Sequence, residues 1–368
     1  MTTGLVWHER YAWHDLGSGA GPFLAGGWIE PGEQHAEHAA TKRRIHNLLN
    51  VAGMLDVIVA VPPREATEQE LLRFHRPEYV SRVRELSGAG GGALGLDSFV
   101  PAGSFEIAAL AAGGALCAVD EVLTGRLDDC YALLRPPGHH AEADNGVGFC
   151  IFNNVVLAAE HALAAHGLER VAIVDWDVHH GNGAQRAFYD DPRVLTISIH
   201  QDGVFPPASG APEEIGGPRA RGLNLNVALP PGSGWGAYSY ALERVALPAL
   251  ERFGPELVLV ACGFDANGFD PMSRQLLHSE AFALMTRAVK DAARRLCDGR
   301  LVLTHEGGYH IGTVPFCGLA VLEALTDHRT EVVDPFLEPL RAMPGQALAD
   351  HQRDAVERTV QAAEISSE

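Results

Sequence analysis

The chain is poor in basic residues, in paired cysteines and in long apolar runs, and each shortage excludes something. Its 368 residues carry 28 Lys and Arg against 47 Asp and Glu, a formal net charge of −19. Binding a phosphate backbone needs clustered cations, so nucleic acid is excluded as a partner. An acidic surface attracts cationic substrates, although solubility alone accounts for it equally well. Six cysteines (Cys117, Cys130, Cys150, Cys262, Cys297 and Cys317) form no C-x-x-C pair, and most sit in apolar runs. They read as buried free thiols of a reducing compartment. Met1 to His8 has no basic segment followed by an apolar one. No apolar run approaches the ~20 residues that cross a bilayer. A cytoplasmic protein without membrane contact is expected. Nucleotide and acyl-enzyme signatures are missing too. The glycine-rich Gly88 to Gly95 lacks the P-loop lysine and the strand-to-helix setting, and reads as a flexible connection. Ser209 and Ser273 lack a G-x-S-x-G elbow, and no cysteine has an activating context.

What is present is an alternation of strands and helices. Strands are expected at Gly4–Trp7, Leu55–Val61, Tyr131–Leu134, Val171–Trp176, Val194–His200, Leu223–Leu229, Glu256–Cys262 and Leu301–Thr304. Helical spacing fills Thr41–Val51, Thr67–His75, Pro77–Leu86, Ser104–Leu123, Asn154–His166, Gly181–Tyr189, Trp235–Phe253, Glu280–Leu296, Val314–Leu325 and much of Gln346–Ala363. Such alternation implies an α/β fold, a parallel sheet with helices on both faces. No repeat or composition break divides the chain, so one domain over residues 1–368 is expected, although the length admits two. An N-terminal loop (about 8–40, with Gly17–Glu33 rich in Gly and Pro) and a tail (about 334–368) are candidate contacts of a homo-oligomer.

Four expected strands end in turns dense with chemistry: Gly138-His-His140, Asp175-x-Asp-x-His179, Gly263-Phe-Asp265 and Glu306-Gly-Gly-Tyr309. In an open α/β sheet, ligands bind outside the carboxyl ends of the strands, so one crevice can collect all four. Asp175, Asp177 and His179 share parity and face one way while the chain stays extended. Grouping them without a cation is costly. Asp177, His179 and Asp265 offer two oxygens and a nitrogen, which leaves the open position of a catalytic zinc site. Without cysteine ligands, Mn²⁺ or Fe²⁺ would also fit. Asp175 is a fourth ligand or orients a neighbouring histidine. One of His139 and His140 is a candidate general base, and Tyr309 a donor to a developing oxyanion. Each alone has a bland alternative: a solvated strand-end acid, a packed histidine, a core tyrosine. Together they fit metal-assisted amide hydrolysis.

These residues, with Arg135-Pro-Pro-Gly-His-His140, Gly148-Phe-Cys-Ile-Phe-Asn-Asn154 and Asp175-Trp-Asp-Val-His-His-Gly-Asn-Gly183, resemble the zinc-dependent histone deacetylase superfamily. More narrowly, they resemble class II enzymes and bacterial histone deacetylase-like amidohydrolases, over roughly Thr41 to Leu325. The resemblance implies the arginase/deacetylase fold, with a central eight-stranded parallel sheet. It makes Asp177, His179 and Asp265 the ligands of one catalytic Zn²⁺, and His140 the general base and acid. His139 paired with Asp175 becomes an electrostatic helper, and Tyr309 polarises the carbonyl. Phe149 and Phe205 become walls of an apolar tunnel for a linear acylated amine, with Gly148, Met272 and Gly307 also at the substrate. It further implies one K⁺ at Asp175, Ser198 and the carbonyls of Asp177, His179 and Ile199. A second K⁺ is implied near Phe188, Asp191 and Val194.

Class I members carry Asp where this chain has Asn182, which matches the class II pattern. Polyamine deacetylases tend to place an acid near the tunnel mouth, where Met272 stands here. Asp270, Glu142 and Asp144 keep that alternative open. The leading expectation is a deacylase for ε-acyl-lysine, ahead of an acetylpolyamine amidohydrolase. A binuclear Mn²⁺ ureohydrolase would want a D-x-H-x-D carboxylate where Gly181 stands. A catalytically dead acyl-lysine-binding module would have lost a residue that is present here.

Overall fold

The structure, a computed structural model, describes residues 2–24, 30 and 32–365. Eight parallel strands form the main sheet: β1 (Thr3–Val6), β2 (Val59–Val61), β3 (Asp129–Ala132), β4 (Val171–Asp175), β5 (Val194–Gln201), β6 (Asn224–Leu229), β7 (Leu257–Cys262) and β8 (Leu301–His305). Their spatial order is β6-β5-β4-β7-β8-β3-β1-β2. The four strands with loaded turns, β4, β7, β8 and β3, are therefore consecutive. All four run the same way, which brings their carboxyl ends to one edge of the sheet.

The strands are apolar because both faces are covered. Along β4, Ala172 and Val174 join one buried cluster, and Val171 and Ile173 join the other. The longer uninterrupted helices are α1 (Ala39–Val51), α2 (Pro77–Gly88), α3 (Ser104–Leu123), α4 (Asn154–Ala165), α5 (Ser279–Cys297), α6 (Val314–Thr326) and α7 (Asp350–Ile365). The first face packs on α1, α5 and α6 through Ile45, Phe282, Met285 and Leu322. The second packs on α3 and α4 through Ile107, Ala111, Val155 and Ala159. Small residues along α3 let it lie close to the sheet: a Cβ on Gly114 would press on Leu134 and Val6.

Several expectations are corrected. Gly88–Gly95 is not a loop throughout. Gly91–Leu96 is a strand paired with Ser98–Pro101. Backbone pairing needs no side chains, and Gly90 and Gly91 supply the positive φ that admits the turn. The expected strand from Leu55 shortens to Val59–Val61, because Met54–Asp56 closes a 3₁₀ turn. Thr67–His75 is helical only over Glu68–Leu71, opened by a capping box between Thr67 and Glu70. Trp235–Phe253 contains a π-helical turn at Leu242–Ala246, just ahead of Pro248. Gly17–Glu33 contributes short antiparallel strands, and its residues 25–29 and 31 lie outside the described ones.

The tail after 334 folds back on its own chain. Val356 is buried in the core, and the Thr359 hydroxyl donates to the Asn226 carbonyl of edge strand β6 (2.6 Å). A covered edge is closed to further strand pairing. No helix among the described residues is long and apolar enough to cross a membrane.

Candidate active site

Turns after four adjacent strands converge as expected. At the end of β4 and just beyond it, Asp175, Asp177 and His179 are all buried, and Asp265 follows β7 in the same state. His179 Nδ1 lies 3.0 Å from Asp177 Oδ1 and 3.1 Å from Asp265 Oδ2. The remaining oxygens are held by backbone amides. Gly307 N–H donates to Asp177 Oδ2 (2.8 Å) and Val178 N–H to Asp265 Oδ1 (2.9 Å). A Cβ on Gly307 would run into both carboxylates, and one on Gly263 into Asp177. Glycine at these positions is what lets the backbone close around the acids. Gly307, expected at the substrate, thus lies against the acids at the floor, and it is not among the residues lining the tunnel.

This set fits a divalent cation. Ligand atoms of Asp177, His179 and Asp265 gather within 4.8 Å of one another. Burial opposes charge on His179, yet the two carboxylates raise its imidazole to about 10. Asp265 Oδ2, although 3.1 Å from the His179 ring, is buried without a properly aligned hydrogen bond. A cation among the three groups replaces the proton that otherwise balances them, and satisfies that oxygen.

Above the floor stand the two histidines of the turn after β3. Their rings are 3.9 Å apart. His139 Nδ1 bonds Asp175 Oδ2 (2.9 Å). Burial lowers His139, but the charges of Asp177 and Asp175 outweigh this and hold it at about 10. His140 goes the other way: burial, then the neighbouring charges of His139 and His179, push it well below the usual range. Its Nδ1 meets Asn182 Oδ1 (2.7 Å), while Asn182 Nδ2 donates to the His140 carbonyl and to Glu142 Oε1 (3.0 Å). The amide is thereby oriented. His140 Nδ1 carries the proton, and Nε2 keeps its lone pair.

Two carboxylates brace the backbones of these turns. Glu306 Oε2 accepts the amides of Gly138 (2.7 Å) and His139 (3.1 Å). Asp270 Oδ2 accepts those of Tyr309 (2.7 Å) and His310 (3.2 Å), and Oδ1 that of Met272 (2.9 Å). Asp270 was a candidate acid at the tunnel mouth; instead it is buried and spent on backbone. Glu142 pairs with Arg186, and Asp144 faces Arg76.

A cavity of about 200 Å³ rises from this floor, lined by His140, Gly148, Phe149, His179, Phe205, Met272 and Tyr309 together with Pro22, Phe23, Asp97 and Val204. Phe149 and Tyr309 meet edge to face, with centroids 5.9 Å apart. Gly148 has positive φ, and a Cβ there would strike His140 and Phe205. Asp97 at the rim escaped sequence reasoning. Its signal is a lone Asp closing a glycine-rich hairpin, where it takes a positive φ and accepts the Phe149 amide on its carbonyl (2.8 Å). Ser198 pairs in register with Asp175 beside Ile199, whereas Phe188, Asp191 and Val194 form a separate turn.

A floor of acids and a histidine that fits a divalent cation, with two further histidines and a buried tyrosine at the carboxyl end of a parallel sheet, is the arrangement of a metal-dependent hydrolase. Residues 35–325 match the family described as histone deacetylase domain. The chain is 49% identical over 358 residues to a histone deacetylase-like amidohydrolase of Pseudomonas aeruginosa, covering 96% of this chain and 94% of that one. It is 42% identical over 323 residues to the human polyamine deacetylase HDAC10, covering 84% of this chain and 46% of that one. The solved HDA15 HD domain superposes with a TM-score of 0.86 at 30% identity, covering 100% of this chain and 95% of that one. The chain belongs to the histone deacetylase family, whose domain is a zinc-dependent hydrolase of amides.

Proposed function

We propose that this chain is a single-zinc deacylase that cleaves ε-acyl-lysine, or a similar linear acylated amine, to the free amine and a carboxylate. One observation carries the reading: Asp177, His179 and Asp265 meet at the floor of a narrow cavity whose wall holds His140, Phe149, Phe205 and Tyr309. Asp177, His179 and Asp265 would hold Zn²⁺. When bound, the ion supplies Lewis-acid polarisation of the amide carbonyl and a more acidic water.

The chain's own groups do the rest. Neutral His140 takes a proton at Nε2 and returns it to the leaving amine. Charged His139, fixed by Asp175, keeps that region cationic while negative charge develops. Burial keeps the Tyr309 phenol protonated, so it donates to the carbonyl oxygen as that oxygen becomes anionic. Phe149 and Phe205 face a methylene chain with their rings. K⁺ at Asp175, Ser198 and Ile199 would steady the floor from behind, and a second K⁺ would sit at the Phe188, Asp191 and Val194 turn. A soluble homo-oligomer of single-domain chains completes the reading.

A second reading, an acylated polyamine as substrate, is supported by the likeness to the polyamine deacetylase and by the Asp97 carboxylate at the rim, which suits a distal ammonium. Against it, Glu142 and Asp144 are absent from the lining, and Met272 stands there instead. Turnover of acetyl-lysine peptides, longer acyl-lysines and acetylputrescine decides between them. The first reading expects kcat/KM to be highest on an acyl-lysine peptide; a preference for acetylputrescine reverses the order, and no turnover on any of them removes both.

A further inference from the structure

A second cluster of metal-ligand groups lies outside the catalytic pocket. Asp120 sits near the end of α3, His161 in α4, and His166 caps the end of α4. The start of α4 is tied to the catalytic turn, where Asn154 Nδ2 donates to the Pro136 carbonyl. Twelve residues of helix separate that start from His166, about 18 Å along the axis.

The cluster is already organised. Nε2 of His161 and Nε2 of His166 each lie 2.7 Å from the same oxygen, Asp120 Oδ1. The rings stand 5.4 Å apart with planes at 74°. His161 is buried, whereas Asp120 and His166 are half-buried, so one side is open to water. We propose that Asp120, His161 and His166 form a second site for a divalent transition ion, Zn²⁺ or a metal of similar preference. Two imidazoles and a carboxylate suit such ions better than Mg²⁺ or Ca²⁺. Zinc bonds of about 2.0–2.1 Å in tetrahedral geometry put ligand atoms ~3.3 Å apart, so the present contacts must open by roughly 0.6 Å. Water completes the coordination, and the ion clamps α3 to α4.

Arg73 makes the proposal more specific than a hydrogen-bonded surface cluster. Its Nη1 lies 2.6 Å from His161 Nδ1. A guanidinium only donates, so Nδ1 is the acceptor and Nε2 holds the proton shared with Asp120. An ion on Nε2 moves that proton to Nδ1, which then cannot face Arg73. Ion binding and the Arg73 contact exclude each other, and half-buried Arg73 has solvent to swing into. Arg73 therefore competes with the ion and sets its affinity.

The test is equilibrium dialysis of the zinc-loaded enzyme against Zn²⁺, with metal counted per chain and deacylase activity followed on the same samples. The expected result is a second equivalent of zinc that is lost in His166→Ala and in Asp120→Asn. Arg73→Ala should bind that equivalent roughly tenfold more tightly, since a charge-assisted hydrogen bond need no longer be broken on binding. All three variants should keep the first equivalent and their activity, which also reports that they fold. Three results overturn the proposal: one zinc per chain throughout, a second equivalent that survives in both ligand variants, or no tightening in Arg73→Ala.

Discussion

Tyr309 is one hydroxyl, and its removal separates chemistry from metal binding. Its amide is fixed by Asp270, and its ring packs on Phe149. Tyr309→Phe keeps both contacts and loses only the donor. Loss of one oxyanion donor typically lowers kcat by about 10²–10³. Steady-state kinetics should show that drop with zinc content unchanged, and a near-normal kcat takes Tyr309 out of the mechanism. Asn182 offers a subtler test. Its amide donates to Glu142, so an aspartate at 182 would face that carboxylate as well as His140. Asn182→Asp should lower activity, and adding Glu142→Gln should restore part of it, with the acidic limb of the kcat/KM profile displaced to higher pH. That displacement follows from the sign: a carboxylate beside His140 raises its imidazole, and the base must be neutral to accept a proton. An unshifted limb in the double variant would mean that His140 does not set the profile. At this scale the sequence was partly legible. The parity of Asp175, Asp177 and His179 showed that they belong together. It could not show that Asp175 reaches back 36 residues to His139. Nor could it show that Asp270 turns from the mouth to the amides of Tyr309 and His310, since both partners lie some forty residues away.

Elements were more legible than residues, because apolar alternation records burial on both faces of the sheet. The strands of the main sheet were found with ends displaced by one or two residues, apart from Leu55–Val61. There a 3₁₀ turn competes for the same apolar run. The glycine-rich hairpin at Gly91–Pro101 was missed because its pairing rests on backbone groups that composition does not report. Two predictions belong to the turns between elements. A Cβ at Gly307 collides with Asp265 and Asp177, so Gly307→Ala should abolish zinc retention while leaving far-UV circular dichroism unchanged. Zinc retained at one equivalent would show that the turn yields without disturbing the acids. Asp270→Ala leaves three backbone amides without their acceptor. An unsatisfied buried donor costs about 1–3 kcal/mol. The melting temperature should fall, and kcat should fall more than KM rises, because the Tyr309 turn loses its anchor. An unchanged kcat would make Asp270 a stability residue alone.

At the level of the whole molecule, β4, β7, β8 and β3 are neighbours, and this adjacency turns four separate motifs into one site. The resulting division of labour leaves the opposite end of the sheet to stability. Asp129 opens β3 at that end, and burial raises its carboxyl to about 6, with neither oxygen hydrogen-bonded. An unfolded aspartate titrates near 3.9. Between those values the folded chain keeps a proton that the unfolded chain gives up, so rising pH lowers stability until the cost is complete above pH ~6. Asp129→Asn should therefore stabilise the protein at pH 8 by up to about 3 kcal/mol, with the gain fading toward pH ~4. Equal melting shifts at pH 8 and pH 5 would contradict this. In the proposed reading, one ion held by Asp177, His179 and Asp265 makes this chain a deacylase. The direct measurement is a zinc titration of the chelated protein, with bound metal and turnover of an acetyl-lysine peptide read on the same sample, beside Asp265→Ala. Activity should rise with the first equivalent, be complete when that equivalent is bound, and be absent from Asp265→Ala. Full turnover in the chelated protein, or zinc-restored activity in Asp265→Ala, would contradict that reading.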